Sequence, residues 1–229
     1  MKNTTWRNDS QLFSIMKKEL YSAVIGDSMD RKNYIHQFLP PHIRPLKDDM
    51  VVVGRAFPVV EADIDSSAIT GELSDKPFGV MLEALDDLKE NEVYICTGSS
   101  PSYALWGEIM TTRAKILNAS GAVLDGYSRD THGILNADFP TFSYGSYSQD
   151  QQVRGKVVDY RVPIQIGKVV IRPGDIIFGD LDGVCVIPYE MEEEIILEAI
   201  EKAGEEKVVQ KEILKGMSAC EAFEKYGVI

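Results

Sequence analysis

The chain has 229 residues, of which 44% are hydrophobic and 26% charged, and its formal net charge is −12. This composition is typical of a globular chain and predicts one domain spanning residues 1–229. The acidic excess argues against a broad nucleic-acid-binding surface, and no apolar run approaches the roughly 18 residues that cross a bilayer. We therefore expect a cytoplasmic protein with no nucleic-acid or membrane partner.

The three cysteines predict neither a disulfide framework nor a zinc site. Cys96, Cys185 and Cys220 are odd in number, far apart and without a C-x-x-C pair. Cys96 and Cys185 lie in apolar, strand-like runs, which favours inert buried thiols.

The first third of the chain is predicted to form two helices and a strand. Apolar residues at helical spacing indicate each helix, and β-branched residues indicate the strand. The predicted elements are a helix over about 10–26, a strand over Met50–Val60 interrupted at Gly54, and a helix over Phe78–Leu88 capped by Ser74 or Asp75.

The middle of the chain has the order of a βαβ unit. A strand over Val93–Thr97 precedes a small-residue turn, then a helix from about Tyr103 to Asn118 and a strand over Ala122–Leu124. Ligands of such units usually bind at the carboxyl ends of the strands. We expect the Gly98 turn and the loop after Leu124 to open on the same side.

The remainder predicts several short strands followed by helices. Strand-like runs between Pro-Gly and Asp-Gly turn signals occupy the region beyond Gly145, and helical spacing resumes over about 189–226. Ser218 and Glu221 have the spacing of a capping box. The fold class predicted is α/β, with a β-rich core flanked by helices. The terminal helices are expected to pack on the core or on neighbouring subunits.

Two polar groups of the βαβ unit suit a small anion and a cation. The start of its helix offers unpaired amides, and Glu108 is expected in the second turn. Arg129 suits a carboxylate, and Asp130 suits a hydrated divalent ion. Other interpretations stay open: Arg129 and Asp130 form an ordinary loop salt bridge, or the serines of the turn merely cap the helix. Those serines are Ser99, Ser100 and Ser102.

The segment ALWGEIMTTRAKILNASGAVLDGYSRD resembles the signature region of the regulator-of-ribonuclease-activity-A-like family. Class II 4-hydroxy-4-methyl-2-oxoglutarate aldolases belong to this family, and in them an acidic residue is followed after twenty positions by Arg-Asp. Glu108 and Arg129-Asp130 reproduce that pattern. HIRPL, VVGRAFPV and VPIQIGKVVIRPGDIIFGDLDGVCVIP resemble the family's other blocks in the same order.

The resemblance implies a swivelling β/β/α domain that assembles as a homotrimer or a hexamer with active sites at subunit contacts. It implies that Asp130 ligates Mg²⁺ or Mn²⁺, that Glu108 binds the metal or acts on its waters, and that Arg129 holds the substrate. An acidic residue of a neighbouring C-terminal helix, Glu205 or Glu206, would contribute. Backbone amides would assist at the substrate-binding residues Tyr103, Ala104, Leu105, Trp106 and Gly107.

The implied activity is a metal-dependent lyase acting on short 2-oxo acids. It would cleave 4-hydroxy-4-methyl-2-oxoglutarate to pyruvate and decarboxylate oxaloacetate through a metal-stabilised pyruvate enolate. The alternatives are a non-catalytic regulator of the same fold and an enzyme for a sugar-acid substrate. Two departures from the aldolases bear on the substrate: Gly133 replaces an acid three residues after Asp130, and Glu108 replaces an Asp.

Several other side chains have a possible role beside a structural one. His132 is a candidate for a metal ligand or base, and Asp180 with Asp182 is a candidate for a second metal site. Trp106 and Tyr103 would either wall the pocket or pack in the core.

Overall fold

The computed structural model describes residues 6–64 and 75–227. In these ranges the chain is mixed α/β, as predicted. No helix in the described ranges has the length and apolarity needed to cross a membrane. The helices are α1 (Asp9–Glu19), α2 (Ser22–Arg31), α3 (Met81–Asp87), α4 (Glu108–Ile116), α5 (Thr131–Asn136), a 3-10 turn (Tyr189–Met191), α6 (Glu192–Leu214) and α7 (Ala219–Tyr226).

The strands are β1 (Arg44–Pro45), β2 (Val52–Asp63), β3 (Glu92–Thr97), β4 (Ala104–Trp106), β5 (Gly121–Leu124), β6 (Tyr127–Ser128), β7 (Thr141–Ser143), β8 (Gly155–Tyr160), β9 (Ile164–Ile166), β10 (Val169–Ile171), β11 (Ile176–Asp180) and β12 (Gly183–Ile187). Eight of them form the main sheet in the order β1-β7-β5-β3-β2-β11-β12, with β8 also pairing with β2. The neighbours β2, β3, β5 and β7 run parallel, whereas β11 and β12 are antiparallel.

The two ends of the strand order approach each other, so the sheet is a nearly closed barrel. Arg44 of β1 donates hydrogen bonds from Nη1 to the carbonyls of Leu181 (2.9 Å) and Asp182 (3.1 Å), in the turn between β11 and β12. The segment around Phe38 also bridges to Cys185 of β12. These contacts cover the outer edge of β12.

Both faces of the central strands are buried, which explains why they read as continuous apolar runs. In β3, Val93 and Ile95 belong to the core inside the barrel, while Tyr94 and Cys96 pack towards α3 and α4. A third apolar cluster lies between β11, β12 and the helices α1, α2 and α6. The prediction that Cys96 and Cys185 are buried is confirmed.

The prediction of one N-terminal helix over 10–26 is wrong. Leu20 and Tyr21 have extended backbone that separates α1 from α2. The carboxylate of Asp180 accepts hydrogen bonds from the amide and the hydroxyl of Ser22, both at 2.7 Å. A residue remote in sequence therefore starts the second helix, and Asp180 has a structural role.

Two other boundaries differ from the prediction. β2 continues through Gly54, which pairs with Ile177 of β11. A Cβ at Gly54 would lie 2.4 Å from the carbonyl oxygen of Asn91, so close strand packing explains this glycine. The helix predicted from Phe78 starts only at Met81, without a side-chain cap. The alternative cap Ser74 lies outside the described residues.

The C-terminal region follows the prediction closely. Helical structure spans the 3-10 turn, α6 and α7 within the predicted 189–226. The capping box is confirmed: Ser218 Oγ accepts from the amide of Glu221, and the Glu221 carboxylate accepts from the amide of Ser218.

Candidate active site

The carboxyl ends of β3 and β5 meet at one edge of the sheet. The two strands are adjacent and parallel, with α4 between them in sequence. Just beyond the strand ends, Thr97 Oγ1 donates a 2.7 Å hydrogen bond to Asp125 Oδ2. The predicted βαβ order is therefore confirmed, and the chain segments that follow the two strands start side by side.

The helix of this unit begins later than predicted. Ala104–Trp106 forms the strand β4, which pairs with β6, and the amide of Arg129 donates to the carbonyl of Trp106 at 2.8 Å. Glu108 is therefore the first residue of α4 and does not lie in its second turn. The sequence prediction was wrong here because the partner of the short strand lies far along the chain.

This boundary changes which amides are available to an anion. The amide of Ala104 donates to the carbonyl of Gln149 at 2.9 Å, so this expected substrate donor is already used. The helix bond from Thr111 to the carbonyl of Gly107 measures 3.0 Å. The amides of residues 108–110 precede it and have no acceptor within α4. The amides at the open end of the helix are therefore those of residues 108–110, whereas the sequence predicted 103–107.

Asp130 is held in an unusual backbone conformation that leaves its side chain uncommitted to the helix it precedes. Its φ of 55° and ψ of 36° lie in the left-handed region, which few non-glycine residues adopt. Its carboxylate makes no capping bond to α5 and is half-exposed.

Arg129 is oriented by a carboxylate that the sequence did not point to. Its Nη1 lies 2.7 Å from Asp150 Oδ1, whereas its Nε lies 3.8 Å from Asp130 Oδ2. A guanidinium has five N–H donors, so the pair with Asp150 leaves others for a ligand. Asp150 therefore fixes the arginine while Asp130 remains weakly engaged.

Two glycines leave room for the Glu108 and Asp130 side chains. A Cβ at Gly133 would lie 2.2 Å from Glu108 Cδ, and one at Gly107 would lie 2.8 Å from Asp130 Oδ2. Gly133 is one turn beyond Asp130, to whose carbonyl its amide donates at 2.9 Å. The longer carboxylate of Glu108 thus lies beside Gly133, where the aldolases have an acid.

The carboxylates of Asp130 and Glu108 are ligands that suit a hydrated divalent ion. Within residues 6–64 and 75–227, no three His, Cys, Asp or Glu side chains are grouped closely enough to hold a metal. Mg²⁺ is usually bound through one or two carboxylates and keeps several waters, whereas zinc sites use three or four protein ligands. Asp130 and Glu108 supply carboxylate oxygens alone, which suits Mg²⁺ or Mn²⁺.

A cavity of about 200 Å³ adjoins Arg129 and Asp130. Three elements wall it: the face of α3 together with Phe78 ahead of it, β4, and the first turn of α4. The sequence did not predict the α3 wall, because its residues have the spacing of an ordinary core helix. The lining residues are Phe78, Met81, Leu82, Leu85, Ala104, Leu105, Trp106, Gly107, Ile109, Met110, Arg129, Asp130, Asp150 and Gln151.

The two aromatic residues of the signature segment have different surroundings. Trp106 lines the cavity, and its indole N–H donates to Thr111 Oγ1 at 2.7 Å. Tyr103 is fully buried away from the cavity lining, and its hydroxyl donates to Asp63 Oδ1 at 3.0 Å. Packing therefore accounts for Tyr103, while Trp106 both packs and forms a wall.

A buried carboxylate lies behind the cavity. Glu61 accepts a 2.7 Å hydrogen bond from Nε2 of Gln151, a lining residue, and burial raises the pKa of Glu61 to about 8. The hydroxyl of Tyr103 lies 3.4 Å from the same carboxylate oxygen. The sequence did not predict that this glutamate is buried, because the predicted strand ended at Val60.

The remaining candidates lie apart from the cavity. The hydroxyls of Ser100 and Ser102 are 2.8 Å from each other, and the amide of Ser100 donates to Asp63. Among the described residues, the oxygen of Ser99 is buried without a hydrogen-bond partner. His132 is exposed on α5.

The two C-terminal acids proposed for a neighbouring site differ in their surroundings. The Glu206 carboxylate accepts from the Tyr21 hydroxyl and pairs with Lys202 of its own chain at 3.7 Å. Glu205 is exposed on the same helix. The role expected of Glu205 or Glu206 stays a prediction.

The RraA-like family model, described as Aldolase/RraA, matches residues 22–186. A protein of Halalkalibacterium halodurans, provisionally named 4-hydroxy-4-methyl-2-oxoglutarate aldolase, is 32% identical over 182 residues, which are 79% of this chain and 80% of that protein. The residues matched by the family model include Arg129, Asp130 and most strands of the main sheet.

Two solved structures share the fold. An uncharacterised protein from Pseudomonas syringae pv. tomato has 26% identity and a TM-score of 0.83, covering 99% of this chain and 98% of that one. RraAS2 of Streptomyces coelicolor, described as an unusual member of the RNase ES inhibitor RraA protein family, has 20% identity and a TM-score of 0.76. It covers 90% of this chain and 98% of that one. The latter similarity concerns the fold alone.

Proposed function

The chain belongs to the Aldolase/RraA family, and from that premise we propose that it is a divalent-metal-dependent lyase that cleaves short 2-oxo acids. The observation that carries this proposal is the group at the cavity mouth. Arg129 and Asp130 line one small cavity, and Asp130 is unused by the helix that it precedes. Glu108 is the first residue of α4, whose first turn walls the same cavity.

Arg129 would bind the carboxylate of the substrate. Asp150 orients the guanidinium from one side, and charge-assisted bonds from its other N–H groups suit a carboxylate. The first amides of α4 would add donors at the positive end of the helix. This arrangement recognises the 2-oxo acid end that all substrates of the proposed class share.

Asp130 and Glu108 would hold the divalent ion, Mg²⁺ or Mn²⁺, directly or through water. When bound, such an ion supplies electron withdrawal at the keto oxygen of a 2-oxo acid. Glu108 would also orient the water that takes the proton of the C4 hydroxyl when the C3–C4 bond breaks. Loss of CO₂ from oxaloacetate makes the same electronic demand, so decarboxylation is expected as a second activity.

A non-catalytic regulatory role is the competing proposal. The Streptomyces coelicolor protein with the RNase inhibitor description has the same fold. The Asp130 carboxylate favours the lyase, because a protein that only presents a surface has no need of an uncommitted acid beside a cavity. Assembly as a homotrimer or hexamer is part of the lyase proposal and is measurable by native mass.

Pyruvate release tests the proposal. The purified chain is given 4-hydroxy-4-methyl-2-oxoglutarate or oxaloacetate, each with Mg²⁺, with Mn²⁺ and with a chelator. We expect turnover that the chelator abolishes and that either ion restores. Asp130→Asn should lower kcat/KM by about 100-fold or more, since even residues that only orient metal ligands contribute about 10- to 100-fold.

The controls distinguish a failure of the proposed lyase activity from a wrong assignment of Asp130. Turnover no faster than that of the free metal ion would refute the lyase proposal. Full activity in Asp130→Asn would refute the assignment of Asp130 while the lyase class survives. Asp49→Asn, at an exposed position where the carboxylate pairs with Lys47 on the surface, is the matched control and should behave as the parent.

A further inference from the structure

We infer that Glu61 is a positioning residue for Arg129. Its buried carboxyl holds Gln151 in place, and the neighbouring Asp150 then fixes the guanidinium of Arg129 for the carboxylate of the substrate. The effect of Glu61 on turnover rests on the proposed lyase function, whereas its effect on the order of the Arg129 side chain does not.

Glu61 lies on β2 at a shift in the pairing with β8. The register changes between Val60 and Glu61, as in a β-bulge, and Glu61 is then opposite Val157. Bulges re-aim the side chains of the strand that carries them. Glu61 is 2% exposed, and its carboxyl lies beside the hydroxyl of Tyr103, which belongs to the same apolar cluster as Val157. The strand thus directs a polar side chain into apolar surroundings behind the cavity.

A glycine makes room for this carboxyl. A Cβ at Gly155, the first residue of β8, would lie 2.5 Å from Glu61 Oε1 and still closer to the hydroxyl of Tyr103. Any larger residue would displace one of these two groups. Close packing of this kind leaves the carboxyl little freedom to move, as a positioning role requires.

The segment 149–151 faces the cavity without a helix or strand of its own. Contacts at both of its ends attach it to the rest of the fold. The carbonyl of Gln149 accepts from the amide of Ala104 at 2.9 Å, and Nε2 of Gln151 donates to Glu61 Oε1 at 2.7 Å. Gln151 is 5% exposed, so its bond to Glu61 is shielded from water.

Asp150 lies between these two contacts and is the residue that orients Arg129. Its Oδ1 is 2.7 Å from Nη1 of the arginine, and both side chains are more than a third exposed. An exposed ion pair restrains its partners little by itself. The order of the Arg129 guanidinium therefore depends on how firmly the backbone of Asp150 is held.

Loss of the acceptor at Glu61 would leave a buried amide group of Gln151 without a partner. Such a group is costly to keep out of water, so Gln151 would turn outwards and take the adjacent Asp150 with it. Arg129 would then lose its orienting partner. Because Arg129 would hold the substrate carboxylate throughout the reaction, we expect the loss in KM rather than in kcat.

Two substitutions of Glu61 separate positioning from a general loss of stability. Glu61→Leu removes the acceptor, whereas Glu61→Gln keeps an amide oxygen that can accept from Gln151. Burial raises the pKa of Glu61 to about 8, so the parent carboxyl is mainly neutral at pH 7 and a neutral amide is a close replacement.

A second buried carboxylate provides the matched control. Asp175 is 1% exposed and accepts hydrogen bonds from the amides of Arg172 at 2.7 Å and Tyr189 at 3.0 Å. None of these residues lines the cavity. Asp175→Leu therefore removes an equally buried acid that has no link to Arg129.

NMR of the arginine side chain measures the order of Arg129 without any substrate. The Nε–Hε signal, assigned by its absence in Arg129→Lys, reports motion on the picosecond to nanosecond timescale. We expect its order parameter to fall by about a third in Glu61→Leu, the difference between rigid and flexible groups, and to keep the parent value in Glu61→Gln and Asp175→Leu. An unchanged order parameter in Glu61→Leu would overturn the inference whether or not the protein is a lyase.

Turnover tests the consequence for the proposed function. With 4-hydroxy-4-methyl-2-oxoglutarate and Mg²⁺ at pH 7, Glu61→Leu should raise KM by about tenfold, the smaller of the losses typical of residues that orient a ligand-binding side chain, and leave kcat within about twofold of the parent. Glu61→Gln should have the parent KM. An unchanged KM in Glu61→Leu, or an equal rise in Glu61→Gln, would overturn the inference. Absence of turnover in every protein would refute the lyase proposal and leave the order of Arg129 to decide the role of Glu61.

Gln151→Met keeps the inference testable if Glu61→Leu does not fold. Met is similar in size to Gln and removes the same hydrogen bond from its other side, while the neutral carboxyl of Glu61 stays in place. We expect the same fall in the order parameter of Arg129. An arginine as ordered as in the parent would show that the bond between Gln151 and Glu61 does not position it.

Discussion

The loop that contains Asp130 and the turn that contains Asp180 put similar residues to opposite uses. Asp180 accepts hydrogen bonds from the amide and hydroxyl of Ser22 and, at 3.0 Å, from the amide of Asp182. Asp130 caps no helix, and its nearest cation is the Nε of Arg129 at 3.8 Å. A carboxylate that satisfies backbone donors belongs to the fold, whereas one held in place without them is available to a ligand.

The buried carboxylate of Glu61 gives the largest expected effect, which is on the pH dependence of stability. The pKa of Glu61 is raised to about 8 by burial, so the native state favours its protonated form. Stability from this group is fully present below the unfolded pKa of about 4.5 and is lost as pH rises towards 8, by on the order of 5 kcal/mol.

Thermal unfolding between pH 5 and 9 measures this dependence. Glu61→Gln should remove most of the fall, because the amide oxygen can still accept from Gln151 and carries no charge to bury. Glu90→Gln, at an exposed position, is the control and should keep the parent curve. Parallel curves for the parent and Glu61→Gln would show that the carboxylate is ionised without cost.

Asp130→Asn should separate activity from stability. Asn tolerates the left-handed backbone of this position, so the fold is preserved. We expect the free energy of unfolding in urea to stay within about 0.5 kcal/mol of the parent, while activity falls by about 100-fold. A large loss of stability would mean that Asp130, like Asp180, serves the fold.

Gly133→Ala should displace the Glu108 carboxylate. The new Cβ would lie 2.2 Å from Glu108 Cδ, so that flexible side chain must move. We expect kcat/KM to fall by about tenfold without loss of stability, because Ala favours α5 over Gly. Pyruvate release and urea unfolding measure the two effects.

A second substitution tests the cause of that loss. Glu108→Asp shortens the side chain and should recover part of the activity when combined with Gly133→Ala, which a double-mutant cycle detects as coupling. Additive losses would show that the contact between these two positions has no influence on the site.

Asp180→Ala gives the smallest expected effect and reverses the outcome expected at Asp130. Loss of the cap on α2 should lower the free energy of unfolding by about 1 kcal/mol and leave kcat/KM unchanged. Urea unfolding and pyruvate release report both quantities. Asp182→Ala, in the same turn but without the cap, is the control; an equal loss there would assign the effect to the turn instead.

Local pattern was sufficient for most of the fold. The β-branched runs gave the strands, and Ser218 with Glu221 gave a cap that depends on neighbours three residues apart. The break at Leu20 and the strand Ala104–Trp106 were missed because their partners, Asp180 and the β6 segment, are remote in sequence. Spacing carries no information about such partners.

The candidate site was predictable in its charged part only. Spacing and family resemblance singled out Glu108, Arg129 and Asp130. The fold brings Arg129 and Asp130 to one cavity and puts Glu108 at the start of the helix that walls it. Asp150 was missed because no motif surrounds it. The α3 wall was missed because apolar residues at helical spacing look the same whether they face a core or a substrate.

The position of β2 at the centre of the sheet has a consequence for how the protein is made. One neighbour, β3, follows soon after it, but the strands that pair with its other edge, β8 and β11, begin only at Gly155 and Ile176. At the usual rate of synthesis, about ten seconds pass before these two strands leave the ribosome. During this interval an apolar strand has one open edge, so the growing chain is most vulnerable to aggregation before its last third appears.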